Sequence, residues 1–324
     1  MRTQRGSATT WLAILALSAV GMAAAADRDT FITLGTHGGP VPDARRSEPA
    51  NALVVGQAVY LVDVGDGAAE QMAKAGLSLQ AIKAVFISHL HFDHTGGLFA
   101  VLALRDQTSA AGRLRIYGPP GIRETVNGLL AAMKPGAESG YGIPGTHFTA
   151  PEDTVEVIEI RGGAQVAIDG FKVSAVENTH YSFPPGSEMR KRFQSLSFRF
   201  DLPDRSIVYT GDTGPSDAVT ALATGADLLV SELIDAQVAG GTAAPAHGAA
   251  ELYTPSEVMR EHMSKHHLTP DQVGQMASRA KVGRLVITHF VGGRVPGAST
   301  DSYIAAIHKW YGGPAEIADD LNRY

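Results

Sequence analysis

The stretch from Ala84 to Leu98, AVFISHLHFDHTGGL, constrains this chain more than any other part of the sequence. Its apolar residues Val85 to Ile87 predict a buried strand that ends at a loop. Four residues with side chains that bind metals follow within six positions: His89, His91, Asp93 and His94. Because residues two apart in an extended segment point to the same side, His89 and His91 can bind one cation. Asp93 and His94 lie past the strand end and can face a second cation.

The composition of this cluster favours a metal site over a merely solvated polar loop. Three imidazoles and a carboxylate within six residues would crowd several positive charges together if the histidines were protonated. Neutral imidazole and carboxylate are the ligands that zinc, iron and manganese select.

Residues 1–26 have the pattern of a secretory signal peptide: a positive start, an apolar centre from Trp11 to Val20, and small residues from Ala23 to Ala26. A membrane anchor is the alternative, but the apolar centre is too short to span a bilayer comfortably. The chain contains no cysteine, which excludes a lipoprotein anchor and disulfide bonds. We therefore expect a secreted or periplasmic protein with a catalytic domain over residues 27–324 and no membrane attachment after signal removal.

The whole-chain composition narrows the class of partner. A hydrophobic content of 44% is enough for a sizeable core, and the formal net charge is −6. This charge argues against a general nucleic-acid-binding surface, though not against a local basic patch.

Further candidate site residues follow apolar segments that predict strands. His180 follows Phe171 to Glu177, and the other candidates likewise stand just after predicted strands: Asp212, Glu232 and His289. Strands alternate with helices in two similar halves, which predicts an α+β fold, a four-layer αββα sandwich of two mixed β-sheets with external helices. The site residues would then gather along one edge.

Several segments allow more than one interpretation. Pro135 to Asp153 is rich in Gly, Pro and polar residues, and predicts a long loop or partial lid beside the site. Ala236 to Ala250 predicts a loop or insertion. His37 is expected to be a structural turn residue, with metal binding as the alternative. The basic residues of the 181–194 loop fit either a solvated face or contact with an anion: Arg190, Lys191 and Arg192.

Taken in order, these motifs resemble those of the metallo-β-lactamase superfamily across essentially the whole chain after residue 26. The resemblance implies one metal bound by His89, His91, His180 and Asp212. It implies a second metal bound by Asp93, His94, His289 and the same Asp212, which bridges the two. Asp63 matches the aspartate that orients ligands in that family. Zinc is the default ion, with manganese and iron as alternatives.

The activity implied by this resemblance is hydrolysis of an ester-type bond by a metal-bridging hydroxide. Two divalent ions, two aspartates and one hydroxide sum to a formal charge of +1. A positive centre favours anionic substrates and stabilises negative charge that develops on oxygen.

The C-terminal third resembles the ribonuclease Z and arylsulfatase-type phosphodiesterase branch. Glu232 follows a predicted strand, and His267 begins the motif His-x-Thr-x-Asp-Gln. The resemblance implies that Glu232 and His267 act with Asp93 in catalysis, and that His267 protonates the leaving oxygen. A helix-capping role for His267 is the alternative, with His266 then the active-site histidine.

The substrate is less constrained than the chemistry. No segment matches the glycine-rich arm with which ribonuclease Z proteins grip transfer RNA, and the predicted signal peptide points to export. The expected substrate is therefore a small anionic phosphodiester or sulfate ester, without a nucleic-acid partner. A lactonase or β-lactamase-like hydrolase is the alternative, an iron redox protein fits less well, and a homodimer is left open.

Overall fold

The computed structural model describes residues 29–39, 41–235, 256–292 and 300–324. The predicted signal peptide and the loop predicted over Ala236 to Ala250 lie outside these residues, so both stay predictions. In the described ranges, no helix is long and apolar enough to cross a membrane.

Seven strands form the first sheet: β1 (Thr30–Gly35), β2 (Ala50–Val55), β3 (Ala58–Val64), β4 (Ile82–Phe86), β5 (Leu114–Gly118), β6 (Val155–Glu159) and β14 (Asn322–Arg323). Their order across the sheet is β14-β1-β2-β3-β4-β5-β6. Strands β14 to β3 pair antiparallel, and β3 to β6 pair parallel. The sheet is therefore mixed, and β4, which leads into the histidine cluster, is a central strand.

Seven further strands form the second sheet: β7 (Gln165–Ile168), β8 (Phe171–Glu177), β9 (Leu196–Asp201), β10 (Ser206–Tyr209), β11 (Leu228–Ile234), β12 (Arg284–Val291) and β13 (Ala315–Ile317). Their order is β13-β12-β11-β10-β9-β8-β7. Pairing is antiparallel from β7 to β10 and parallel from β10 to β13. Strands β10, β11 and β12, which belong to this parallel part, therefore end at the same edge.

The helices described are α1 (Ala68–Lys74), α2 (Phe92–Thr95), α3 (Leu98–Gln107), α4 (Ile122–Ser139), α5 (Glu188–Arg192), α6 (Asp217–Leu222), α7 (Glu257–Lys265), α8 (Pro270–Ala280) and α9 (Asp301–His308). Helices α1, α3 and α4 pack on the outer face of the first sheet. Helices α6, α8 and α9 pack on the outer face of the second.

The two sheets face each other across an aromatic core. The ring of Phe86 in the first sheet lies 5.8 Å from that of Phe198 and 5.4 Å from that of Phe200, both in the second. All three side chains are fully buried. Edge-to-face aromatic contacts of this kind add to the stabilisation from burial. The predicted four-layer αββα sandwich of two mixed sheets is thus confirmed.

The prediction of a loop or lid over Pro135 to Asp153 is wrong for residues 135–139, which are helical. Helix α4 continues through Pro135 and ends only at Ser139. Met133 and Ala137 lie one turn apart on its buried face, so apolar burial outweighs the backbone hydrogen bond that proline removes. None of residues 135–153 lines the cavity that contains the candidate site residues.

The start of α8 agrees with the sequence. Thr269 caps the helix in a capping box with Gln272, and Pro270 occupies the first helical position. Because the cap fixes where α8 begins, it also fixes the position of His267 two residues earlier.

Candidate metal centre

The site residues lie at the edge where parallel strands of both sheets end. His89 follows β4, and His91 is the N-cap of the short helix α2, which presents Asp93 and His94. His180 follows β8, and Asp212 follows β10.

The sequence predicted that Glu232 and His289 follow strands. In the structure, they lie within β11 and β12. The pairing register between these strands shifts after Ser231, so that the chain bulges where Glu232 and His289 stand. His289 also adopts a left-handed backbone conformation, with φ of 41°. A β-bulge redirects side chains, and here it accompanies two candidate site residues in neighbouring strands.

His89, His91 and His180 form the first candidate ligand group. His91 Nδ1 lies 3.0 Å from His89 Nε2 and 3.1 Å from His180 Nε2. Ligand bonds of about 2.0–2.1 Å in a tetrahedral site place neighbouring ligand atoms about 3.3 Å apart. The spacing of these three nitrogens therefore suits a single cation.

Asp93, His94 and His289 form the second group. Asp93 Oδ2 lies 3.6 Å from His94 Nε2 and 3.5 Å from His289 Nε2. These distances again match the edges of a coordination polyhedron.

Asp212 lies between the two groups. Its Oδ2 is 3.9 Å from the Nε2 atoms of both His89 and His180 in the first group. The same oxygen is 3.3 Å from His94 Nε2 and 3.1 Å from His289 Nε2 in the second. One carboxylate thus approaches both groups, as a bridging ligand would.

The bonding state of these atoms provides a test of whether metal ions fit. Four buried atoms of the centre have no hydrogen-bond partner: His94 Nε2, Asp212 Oδ1, His289 Nδ1 and His289 Nε2. Buried polar atoms normally have partners, so such a concentration of unpaired atoms requires an explanation. The nitrogen and oxygen donors at ligand spacing fit two divalent cations.

Asp63 supports the centre without joining either group. Its carboxylate accepts hydrogen bonds from Ser88 N–H, Ser88 O–H and Tyr209 O–H, at 2.7, 2.7 and 2.8 Å. His94 Nδ1 lies 2.8 Å from its Oδ2. This contact orients the His94 ring with Nε2 toward the centre, which is the role the family resemblance implied.

Two of the remaining ligand rings are anchored in a similar way. His180 Nδ1 lies 3.1 Å from the backbone oxygen of His266, and His89 Nδ1 lies 3.0 Å from Ser88 Oγ. In each ring, Nδ1 is held by a contact with the protein, and Nε2 is left to bind a cation.

Glu232 and His267 form a buried pair beside the second group. His267 Nδ1 lies 2.6 Å from Glu232 Oε2, and Glu232 Oε1 accepts a hydrogen bond from Thr213 N–H at 2.6 Å. Burial raises the pKa of Glu232 well above its usual range and lowers the pKa of His267 to about 4. The short distance between Oε2 and Nδ1 shows that a hydrogen bond joins the two side chains.

His262 and Glu48 are two site residues that the sequence interpretation missed. The His262 ring centroid lies 4.7 Å from that of His180 and 5.4 Å from that of His267. Its Nδ1 is 3.0 Å from Nδ1 of His266. Since His262 precedes His266 by one helical turn, this spacing was a signal that could have found it.

Glu48 had no such signal, because it stands in no motif and precedes β2. It is buried beside the second group, and its Oε2 has no hydrogen-bond partner. Burial and the nearby charge of Asp93 raise the pKa of Glu48 to about 7.

Part of the centre lines one cavity of about 610 Å³, and Glu48 and His262 line it as well. Its wall includes Asp93, Asp212, His267 and His289, together with residues of α7. His267 lines this cavity and His266 does not. The alternative assignment to His266 therefore has no support from the geometry.

The other sequence candidates lie outside the centre. His37 Nε2 is 2.7 Å from the backbone oxygen of Val41, so His37 holds a turn, as expected. The three basic residues of α5 pair with carboxylates: Arg190 with Glu177, Lys191 with Glu188 and Arg192 with Glu124. These pairs favour a surface role for the basic segment over contact with substrate.

Comparison with known proteins adds independent information. Residues 59–290 match the family described as "Beta-lactamase superfamily domain". Over 295 residues, the chain is 34% identical to ribonuclease Z of Mycobacterium sp. (strain KMS), covering 90% of this chain and 94% of that protein.

Solved structures share the fold. The metallo-β-lactamase fold protein YhfI from Bacillus subtilis has a TM-score of 0.66 and 18% identity, covering 92% of this chain and 99% of its own. The short form of human tRNase Z has a TM-score of 0.61 and 22% identity, covering 91% of this chain and 98% of its own.

These findings correct one prediction. A small-molecule substrate without any nucleic-acid partner is contradicted by relatives that are named ribonuclease Z and therefore act on RNA. The prediction depended on three arguments: the missing glycine-rich arm, the predicted export and the net charge of −6. None of the three describes the residues that line the site. From the profile match, the relatives and the fold together, we conclude that the chain belongs to the metallo-β-lactamase superfamily and is a hydrolase of that superfamily.

Proposed function

We propose that this chain is a metal-dependent phosphodiesterase with RNA as its substrate class. The observation that carries the proposal is the position of Asp212 Oδ2, within 3.9 Å of ligand atoms of both groups. The Glu232–His267 pair lies beside it and gives the site a proton donor. The ribonuclease Z relatives support the choice of a phosphodiester in RNA.

In this proposal, the first metal is held by His89, His91, His180 and Asp212, and the second by Asp93, His94, His289 and Asp212. Two divalent ions at such a centre supply Lewis acidity toward the phosphoryl group and activate water as the nucleophile. Zinc suits these nitrogen and oxygen donors best, and manganese or iron would also fit.

The charge of the cavity supports the need for cations. Four carboxylates line it: Glu48, Asp66, Asp93 and Asp212. An anionic phosphodiester would be repelled by this wall, whereas two divalent cations would offset its negative charge. Asp93 therefore has a double role, as a ligand and as part of the wall beside the substrate.

His267 is proposed as the group that protonates the leaving oxygen. Glu232 engages Nδ1 of the ring, which leaves Nε2 as the nitrogen available to a substrate in the cavity. Thr213 N–H holds the other carboxylate oxygen of Glu232, so the whole pair is fixed before substrate binds. A fixed donor of this kind assists a leaving group that departs poorly as an anion.

The proposal is tested with a substrate panel and purified protein. We expect turnover of methyl p-nitrophenyl phosphate and of a short RNA, loss of turnover with a chelator, and recovery with zinc or manganese. Parallel assays use p-nitrophenyl sulfate, a lactone and a chromogenic β-lactam. Turnover of any of these three without phosphodiester turnover would overturn the proposed substrate class.

A further inference from the structure

The apolar wall of the site cavity contains an exposed aromatic side chain that the proposed chemistry does not use. Among the described residues, the two most exposed large hydrophobic side chains are Phe92, at 90%, and Val258, at 77%. Both line the cavity that contains Asp93 and Asp212. A single exposed hydrophobic residue is ordinary, but two in the cavity of a candidate active site form a feature of that cavity.

The backbone at Phe92 is held firmly although its ring is exposed. Phe92 is the first residue of α2, and its carbonyl accepts a hydrogen bond from Gly96 N–H at 2.6 Å. His94 N–H donates to the carbonyl of His91 at 3.1 Å. The ring is therefore carried by a short fixed turn and not by a loose loop.

The position of Phe92 in the chain places it beside both ligand groups. His91 belongs to the first group and Asp93 to the second, and Phe92 stands between them. In the chain, Phe92 is therefore the immediate neighbour of one candidate ligand from each group. A group bound on this ring would be attached close to the bond being cleaved.

The rest of the cavity wall matches the same kind of ligand. Met259 and Met263 of α7 line the cavity with Val258, whereas the polar part of its wall consists mainly of carboxylates and imidazoles. A ligand that fills both regions has an anionic part and a flat apolar part. A phosphodiester linked to a nucleoside has both.

We propose that Phe92 is a stacking platform for the nucleobase next to the scissile phosphodiester. Val258 and Met259 line the same subsite. The proposal rests on the proposed phosphodiesterase function and adds a specificity determinant to it. Removal of an aromatic ring that stacks on a base weakens binding by about fivefold to about 150-fold.

The test compares two substrates with the same leaving group. Thymidine 5′-(p-nitrophenyl phosphate) carries a base, and methyl p-nitrophenyl phosphate does not. In Phe92→Ala, we expect KM for the thymidine ester to rise at least about fivefold, with kcat/KM for the methyl ester nearly unchanged. Phe92→Trp should retain the preference for the base, and Phe92→Leu should lose most of it. Metal content and circular dichroism check that each variant is folded.

Phe99→Ala is the matched control. Phe99 is also an exposed phenylalanine, at 40%, but it lies on α3 and lines a different cavity. The Phe99→Ala variant should change neither KM nor kcat/KM for either ester. An equal loss for both esters in Phe92→Ala, full activity of Phe92→Leu, or a change in oligomeric state would overturn the platform.

A binding measurement separates failure of the platform from failure of the proposed function. Titration calorimetry with thymidine 5′-monophosphate and ribose 5-phosphate needs no turnover. The platform predicts weaker binding of the nucleotide to Phe92→Ala and unchanged binding of the sugar phosphate. If wild type cleaves neither ester, the proposed function fails, and this comparison still decides the platform. If wild type cleaves both and the nucleotide binds the variant equally well, only the platform fails.

Discussion

The substitution His267→Ala tests the chemical role of the Glu232–His267 pair most directly. His267 is 4% exposed and lines the cavity, with Nδ1 2.6 Å from Glu232 Oε2. It belongs to neither of the two proposed ligand sets. We therefore expect the variant to keep both metals and to change KM little.

The expected loss of rate depends on the leaving group. A positioned imidazole that transfers a proton in the transition state contributes about 10²–10⁴-fold in rate. An alkoxide leaving group needs this proton, whereas p-nitrophenolate departs as a stable anion. His267→Ala should therefore lower kcat by about 10²-fold or more for an alkyl or RNA phosphodiester. For a p-nitrophenyl ester, the loss should be much smaller.

The geometry supports this expectation because the substitution leaves the surroundings in place. Glu232 Oε1 keeps its hydrogen bond from Thr213 N–H, so the carboxylate does not become free to move. The assay measures kcat and KM for a series of esters with graded leaving-group pKa. The slope of log kcat against leaving-group pKa should be steeper in the variant than in wild type.

His266→Ala is the matched control. The backbone oxygen of His266 lies 3.1 Å from His180 Nδ1, and alanine retains that oxygen. Only the side-chain contact with His262 is lost. This variant should keep the wild-type slope. An equal loss for every leaving group in His267→Ala, or a loss of metal from it, would refute the proton-donor role.

Three further predictions concern metal binding, stability and export. Asp212→Ala should lower the metal content of both sites, measured by plasma mass spectrometry, whereas Asp217→Ala on the exposed surface should retain it; equal metal in both variants would contradict the bridging role. Asp63→Asn should lower metal affinity by about 10–100-fold and the free energy of unfolding by about 1–3 kcal/mol, because a carboxylate that accepts several buried hydrogen bonds is replaced. Tyr209→Phe removes only one of those hydrogen bonds. Urea titrations should therefore show a smaller loss in the free energy of unfolding for Tyr209→Phe than for Asp63→Asn. The mature N-terminus should fall between Ala25 and Asp27 in N-terminal sequencing of protein from the native host, and full-length protein in the cytoplasm there would refute export.

Local patterns predicted much of the fold and most of the candidate centre. The strand before His89 and the helix cap at Thr269 depend on hydrophobic runs and capping residues, which neighbouring sequence positions reveal. His180 and Asp212 follow strands for the same reason. Each of these features is decided within about ten residues of the chain.

Features that depend on distant partners were not visible in the same way. Glu232 and His289 were expected after strand ends, but pairing between β11 and β12 extends both strands and inserts a bulge. Helix α4 passes through Pro135 because its apolar face packs on the sheet, which outweighs the local penalty. The two residues of β14 form a strand only because they pair with β1, which is distant in the sequence. Burial of Glu48 likewise follows from the fold and from no local motif.

The location of the centre follows from the topology. Strand β4 of the first sheet is parallel to its neighbours, and so are β10, β11 and β12 of the second. Carboxyl ends of parallel strands meet at one edge, which is where ligands bind in sheets of this kind. Asp212 lies where the two edges approach each other, and its carboxylate faces imidazoles from both. Without cations, this arrangement leaves buried atoms of Asp212, His94 and His289 unpaired. Since metal binding would supply partners for His94 Nε2 and His289 Nε2, binding of metal ions should also stabilise the contact between the two halves of the fold.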